Sequence, residues 1–189
     1  MRSLVYYVAV SLDGRIAGPE GQYDFYPVDE EYSRQMNEEW GDGLPTGLHE
    51  ALGITPPLTK WDTVVMGTAT YRIGADVGVN DPYSHLRTIV YSRSLDAADF
   101  PEVEVIAEDP VAHMRALKQE EGGDIWLCGG GKLAATLAPE VDRLALKIYP
   151  VTAGDGVPLF AGGFAPQQWK LISHRAFDIG VILAQYERA

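Results

Sequence analysis

Three corners of this chain carry residues suited to holding a phosphate-bearing ligand: Met66-Gly67-Thr68, Tyr91-Ser92-Arg93 and Cys128-Gly129-Gly130-Gly131. Each follows a short apolar run that reads as a strand. Glycine there lets backbone N–H groups approach a ligand, and a helix N-terminus just beyond attracts anionic oxygen. Taken singly, each corner is an ordinary turn. Together, at successive strand ends of an open α/β sheet, they point to a dinucleotide lying across the carboxyl rim. Gly129-Gly130-Gly131-Lys132-Leu133-Ala134 also fits G-x-G-x-x-A. A Rossmann origin then expects an acid at the end of the next strand, and that strand ends at Tyr149-Pro150 with none. A P-loop requires Ser or Thr after its lysine, and Leu133 follows Lys132.

Other chemistries find little support. His49, His85, His113 and His174 are scattered without metal-ligand spacing, so no metal site is expected. No G-x-S-x-G elbow occurs. Cys128, the single cysteine, ends a buried strand and reads as a core thiol. Asp13 follows the first strand in Ser11-Leu12-Asp13-Gly14, and there a carboxyl group can position a substrate or supply a proton. Asp-Gly is equally a common turn. Tyr26, Trp40 and Tyr71 offer faces for a flat heterocycle, although each one singly also suits core packing.

The elements that must position these residues alternate. Leu4 to Val10 is a strand buried on both sides, because it is apolar without alternation. Asp29 to Trp40 reads as a helix capped by Asp29. Gly41 to Pro57, with four glycines and three prolines, reads as loop with at most a short helix near Leu48–Leu52. Strands follow at Asp62–Gly67, Thr88–Tyr91 and Val103–Ile106, with a short helix from Thr68 to Ile73. Asp109-Pro110 opens a helix with apolar positions Val111, Met114 and Leu117. Asp124–Cys128 is a strand, the glycines lead into a helix through Leu137, and Arg143–Val151 is another strand. Trp169–Ala176 and Val181–Tyr186 form a hairpin around Phe177-Asp178-Ile179-Gly180. The order predicts an α/β fold, mostly parallel, with an antiparallel C-terminal edge. No repeat or linker divides it, so residues 1–189 read as one domain.

Net charge is −12, from 15 basic and 27 acidic residues. That balance argues against general nucleic-acid or anionic-membrane partners. Residues 20–50 hold nine acids and one base, which reads as a solvated face, with its aromatics as the alternative of a pocket wall or lid. No apolar stretch is long enough to span a bilayer and no export signal is visible, so a cytoplasmic setting is expected.

The motifs, in order, resemble the dihydrofolate reductase-like family. They are Ser11-Leu12-Asp13-Gly14-Arg15-Ile16-Ala17-Gly18, Val65-Met66-Gly67 with Thr70-Tyr71, Tyr91-Ser92-Arg93, Ile125 to Leu133, Ile148 to Val151 with Gly154-Asp155-Gly156, and Pro158-Leu159-Phe160. The likeness is nearest to the C-terminal reductase domain of the riboflavin-biosynthesis deaminase-reductase and its stand-alone bacterial relatives. It covers nearly all the chain except roughly residues 20–60. It implies a three-layer α/β/α sandwich around a mixed, mainly parallel sheet, usually dimeric, and NADPH as hydride donor. By the resemblance, Gly67, Thr68 and Thr70 lie at the cofactor phosphates and Ser92 and Arg93 near the adenosine 2′-phosphate. Gly129, Gly130, Gly131, Lys132 and Leu133 wrap the pyrophosphate, while Ala9, Ile16 and Ala17 border the nicotinamide.

Two departures matter. Gly67-Thr68-Ala69-Thr70 stands where the family often has Gly-Arg-x-Thr, which leaves NADH open beside NADPH unless Arg93, Arg72 or Lys132 compensates. The zinc deaminase signature is absent. The reading is therefore a reductase of a C=N or C=O in a small pterin- or pyrimidine-like molecule. The alternatives are a non-catalytic dinucleotide-binding module, or a structural homodimer that uses the C-terminal hairpin.

Overall fold

The computed structural model describes residues 1–55 and 58–189. In chain order its elements begin with β1 (Leu4–Ser11), β2 (Arg15–Ala17), α1 (Glu30–Trp40), β3 (Thr63–Gly67) and α2 (Thr68–Ala75). The middle of the chain forms β4 (Arg87–Tyr91), β5 (Glu104–Ile106), α3 (Pro110–Leu117), β6 (Ile125–Gly129) and α4 (Gly131–Leu137). Then come β7 (Arg143–Tyr149), β8 (Val157–Pro158), β9 (Trp169–Ala176) and β10 (Ile182–Arg188).

Eight strands form one sheet in the order β5-β4-β3-β6-β1-β7-β10-β9. The first six are parallel to their neighbours, and β10 runs antiparallel to both β7 and β9. The carboxyl ends of β1, β3, β4, β6 and β7 therefore share one rim. Register aligns them: Gly67 sits opposite Tyr91, Met66 opposite Gly129, and Ser11 opposite Tyr149.

Both faces are covered, which is why the parallel strands are apolar throughout. Val5, Tyr7, Val64, Met66, Trp126, Ala145 and Tyr149 meet α1 and Tyr71 of α2 on one side. Leu4, Tyr6, Val65, Ile89, Leu127 and Leu144 meet Met114 and Leu117 of α3 and Leu133, Ala134 and Leu137 of α4 on the other. This is the expected three-layer arrangement.

The helix signals act as the sequence indicates. Asp29 caps α1 by accepting a hydrogen bond from Tyr32 N at 2.7 Å. Tyr32, Met36 and Trp40, four residues apart, form its buried stripe, while Glu30, Glu31, Glu38 and Glu39 stay exposed. On α1 the acids thus form a solvated face over buried Tyr32, Met36 and Trp40, while Asp42, just beyond the helix, is buried. Asp109 accepts from Val111 N at 3.0 Å and caps α3.

Three details differ from the expectation. Helix α2 continues to Ala75. The short helix expected near Leu48–Leu52 is a 3₁₀ turn at Thr46–Leu48, and the last two residues of that loop, 56 and 57, lie outside the described ones. A two-stranded ribbon joins β2 to β8, pairing Arg15 with Pro158 and Ala17 with Val157. Strands of two and three residues are too short to carry a periodic signal.

Candidate functional site

The three small-residue corners stand side by side on the rim. Gly67 ends β3 and caps α2, with φ −89° and no side-chain cap. Gly130 caps α4 in the same bare way, and the Gly129–Gly130 peptide is cis. Thr70, one turn into α2, lies beside them: a Cβ on Gly130 would meet its Oγ1 at 3.4 Å and one on Gly129 at 3.7 Å. A Cβ on Gly67 would meet only Leu133 Cβ, at 3.7 Å, and backbone of Gly129 and Gly130 at 4.0 Å. These are ordinary contacts, so neighbouring packing does not require bare backbone at Gly67 or Gly130. Gly129 has its own reason to be glycine, a φ of +139°.

Gly131 is different. A Cβ there would collide with the carbonyl oxygen of Pro158. Its own carbonyl accepts from Ala161 N at 2.9 Å. Packing against the β8 segment, and not access for a ligand, accounts for this third glycine. Leu133 is likewise buried, in the sheet face that α4 covers.

Ser92 is a buried organiser. Its Oγ accepts from Thr68 Oγ1 at 2.9 Å, from Ser94 N at 3.2 Å and from Leu95 N at 3.1 Å, which ties the β4 corner to the start of α2. Arg93 and Lys132 are exposed, and among the described residues neither has a side-chain hydrogen bond or ion pair. Arg72, the other candidate replacement for the missing arginine, pairs with Asp76 at 3.2 Å.

The other wall is the β1–β2 turn. Ala9, Ile16 and Ala17 are half-buried. Ala9 packs toward the α1 side and Ile16 toward the α4 side. Asp13 is exposed, and its carboxylate clasps a neighbouring loop. Oδ1 accepts from Ser11 Oγ at 2.5 Å and from Ala153 N at 3.0 Å, and Oδ2 accepts from Gly154 N at 2.7 Å. The Ser11 hydroxyl and those amides hold it at about 2, well below 3.8. At neutral pH it carries no proton to donate, so the turn role is the one this geometry supports.

The three aromatics separate. Tyr26 is half-buried and near the wall: its hydroxyl donates to Arg15 O at 2.7 Å and its ring lies 4.6 Å from Tyr149. Trp40 is core, 4% exposed and stacked on Tyr7 at 4.7 Å. Tyr71 is also core, 1% exposed, with its ring edge-on to Phe100 at 5.4 Å. Neither presents a face to a bound heterocycle, and both lose the stacking role that their types suggested.

Sequence reasoning passed over Lys147 and Arg15. Lys147 sits mid-strand in β7, its ammonium 4.3 Å from the centroid of the Tyr7 ring. Burial lowers it from 10.5 to about 8. The nearby Cys128 thiol is pushed up to about 11 by the same cause. Arg15 keeps a buried Nε with no hydrogen-bond partner among the described residues. The signal for Lys147 was available as a lone cation in the apolar run Leu144–Tyr149.

This sheet order, with helices on both faces and an antiparallel C-terminal hairpin, defines a dihydrofolate reductase-like α/β protein. Residues 2–183 match the family described as the RibD C-terminal domain, and the chain belongs to it. Two proteins of Bacillus subtilis (strain 168) are similar to it. Uncharacterized protein YwjB is 31% identical over 161 residues, covering 84% of this chain and 83% of its own. Uncharacterized protein YyaP is 27% identical, covering 98% and 94%. Two solved structures share the fold. A putative riboflavin biosynthesis protein from Shewanella sp. PV-4 superposes with a TM-score of 0.71 at 21% identity, covering 100% of this chain and 99% of that one. A diaminohydroxyphosphoribosylaminopyrimidine deaminase/5-amino-6-(5-phosphoribosylamino)uracil reductase from Thermotoga maritima gives 0.64 at 18% identity, and this chain spans 57% of its length.

Proposed function

We propose that this chain is an NADPH-dependent reductase acting on a C=N or C=O of a small, flat, pterin- or pyrimidine-like heterocycle. One observation carries the reading. On a single carboxyl rim, Gly67 and Gly130 expose backbone that no neighbouring protein atom requires to be bare. Such a cradle fits a diphosphate. Thr68 and Thr70 add hydroxyls to it, Ser92 holds the β4 corner in place, and Arg93 and Lys132 are the cations for an adenosine-side phosphate. Gly129 supplies the backbone turn between strand and cradle.

When bound, the nicotinamide supplies a hydride. The chain's own part is to hold the acceptor carbon within about 3–3.5 Å of it. Ala9, Ile16 and Ala17 form an apolar wall for the ring, and the Asp13 clasp fixes that wall against the 153–154 loop.

Titration of the protein with NADPH and NADH, followed by a panel of pterins, pyrimidines and carbonyl compounds, tests the reading. Saturable binding that favours NADPH, and oxidation by at least one heterocycle, are expected. No binding of either dinucleotide overturns it. The commitment of Asp13 to loop closure favours one second reading, a dinucleotide-binding module without turnover. Its signature is saturable binding with no oxidation across the panel. We further propose that two copies pair through the exposed strand β9.

A further inference from the structure

Lys147 is the one lysine set among the apolar residues of β7. Its cross-strand neighbours are Ala9 of β1 and Leu183 of β10. Ala145 and Tyr149 flank it on the same sheet face. It is partly exposed, so a ligand can reach it. Among the described residues, no carboxylate, carbonyl or hydroxyl accepts a hydrogen bond from its ammonium and no ion pair includes it. The contact it does have is the face of Tyr7.

The two cations that are almost fully buried, Arg2 and Lys118, are answered. Arg2, 5% exposed, pairs with Asp62 and donates to Gly123 O at 2.7 Å and Thr63 Oγ1 at 2.6 Å. Lys118, 7% exposed, donates to Glu140 O at 3.0 Å and pairs with Asp142 at 2.7 Å. The chain has 27 acids, and among the described residues none pairs with Lys147. Two carboxylates that act on the Tyr7 phenol are engaged: Glu39 pairs with Arg175 at 3.2 Å, and Asp42 accepts from Lys60 N at 2.7 Å. The acids that face the ammonium are raised by burial and stay protonated, Tyr7 and Tyr149 as phenols and Cys128 as a thiol. A half-buried cation left without a counter-charge is unfavourable, and an arriving anion supplies that counter-charge.

We propose that Lys147 Nζ anchors an anionic or enolate-type oxygen on the flat ring of the substrate, and that it sets specificity for rings carrying such an oxygen. The inference rests on the reductase reading, because Ala9, the residue paired with Lys147, is read there as the nicotinamide wall. Three donors on one ammonium suit a single charged oxygen.

The test is calorimetric titration of the intact protein with barbiturate (a flat pyrimidine that is an anion near neutral pH), with neutral uracil, and with inorganic phosphate. Each is titrated with and without saturating NADPH. Wild type is expected to prefer barbiturate. Lys147→Met is expected to lose about 10- to 100-fold in barbiturate affinity with little change for uracil. Lys147→Arg keeps the preference for the anion, and NADPH affinity is the same in all three proteins. Three results overturn the proposal: equal affinity of wild type for barbiturate and uracil, an undiminished preference in Lys147→Met, or phosphate bound more tightly than barbiturate. A wild type that binds no NADPH overturns the reductase reading instead, while the comparison of barbiturate with uracil still decides the role of Lys147.

Discussion

Asp13 and Lys147 are two charged groups near one rim with opposite relations to stability. The Asp13 carboxylate is stabilised by the Ser11 hydroxyl and two amides, so its folded value, about 2, lies below its ordinary 3.8. The unfolded chain therefore takes up the proton first as acid is added. The stabilisation is complete above about pH 4 and disappears as pH falls toward about 2. Asp13→Asn is expected to flatten acid unfolding in that window and to speed amide exchange at Ala153 and Gly154. The pH profile of activity between about 5 and 8 should not move, because Asp13 does not titrate there. Lys147 has the reverse logic. Its folded value, about 8, lies below 10.5, so the folded protein sheds this proton first. The cost of burying the charge is full below about pH 8 and fades as pH rises toward 10.5. Lys147→Met is expected to be more stable than wild type near neutral pH by about 1–3 kcal/mol, with the gain shrinking above about pH 8. Urea unfolding of both proteins across that range measures it. A residue that weakens the fold while serving the ligand is a familiar trade at functional sites.

At the scale of elements, the glycines separate packing from binding. Gly67→Ala places a methyl group in ordinary contact with Leu133 at a φ of −89°, which alanine adopts freely. It is expected to change stability by less than about 1 kcal/mol and to weaken NADPH binding about tenfold. Gly131→Ala drives its methyl group into the Pro158 carbonyl, and it is expected to cost more than about 2 kcal/mol by displacing the 157–161 segment. Thermal melts and NADPH titrations of both variants distinguish the two roles. The sequence announces that small residues end three strands, because a glycine run after an apolar run is a local signal. It does not announce which glycine faces the groove, because that depends on β8, which arrives from 26 residues further along the chain. The helix caps and the antiparallel C-terminal hairpin were legible from Asp29, Asp109-Pro110 and the Phe177–Gly180 turn for the same local reason. Trp40 and Tyr71 show the limit: a buried core aromatic and a stacking platform have identical side chains, and only burial tells them apart. For Lys147 the sequence shows a lone cation in an apolar strand, but not whether its side chain turns inward or out to solvent.

At the scale of the whole molecule, the sheet has two unequal edges. β5 presents three residues at one end. β9 presents eight at the other, and seven of them are exposed. Leu171 and Ile172 on β9 are 48% and 51% exposed, and Ile182 on the adjacent β10 is 39% exposed. Exposed apolar side chains on a long open edge invite pairing with another chain. Some protection is present: Lys170 and His174 lie on the strand, and the register shifts opposite Gln185 and Tyr186. No proline interrupts β9. A second copy related by a twofold axis presents the same patch to itself, so one set of residues satisfies both sides. Leu171→Lys with Ile172→Lys places like charges across that axis, where repulsion and desolvation add. Sedimentation of wild type at micromolar concentration is expected to show a dimer, and the double variant a monomer with unchanged NADPH affinity. A wild type that sediments as a monomer refutes the pairing. A monomeric variant that also loses NADPH affinity would place the cradle within reach of the interface, against the separation of rim and edge along the sheet.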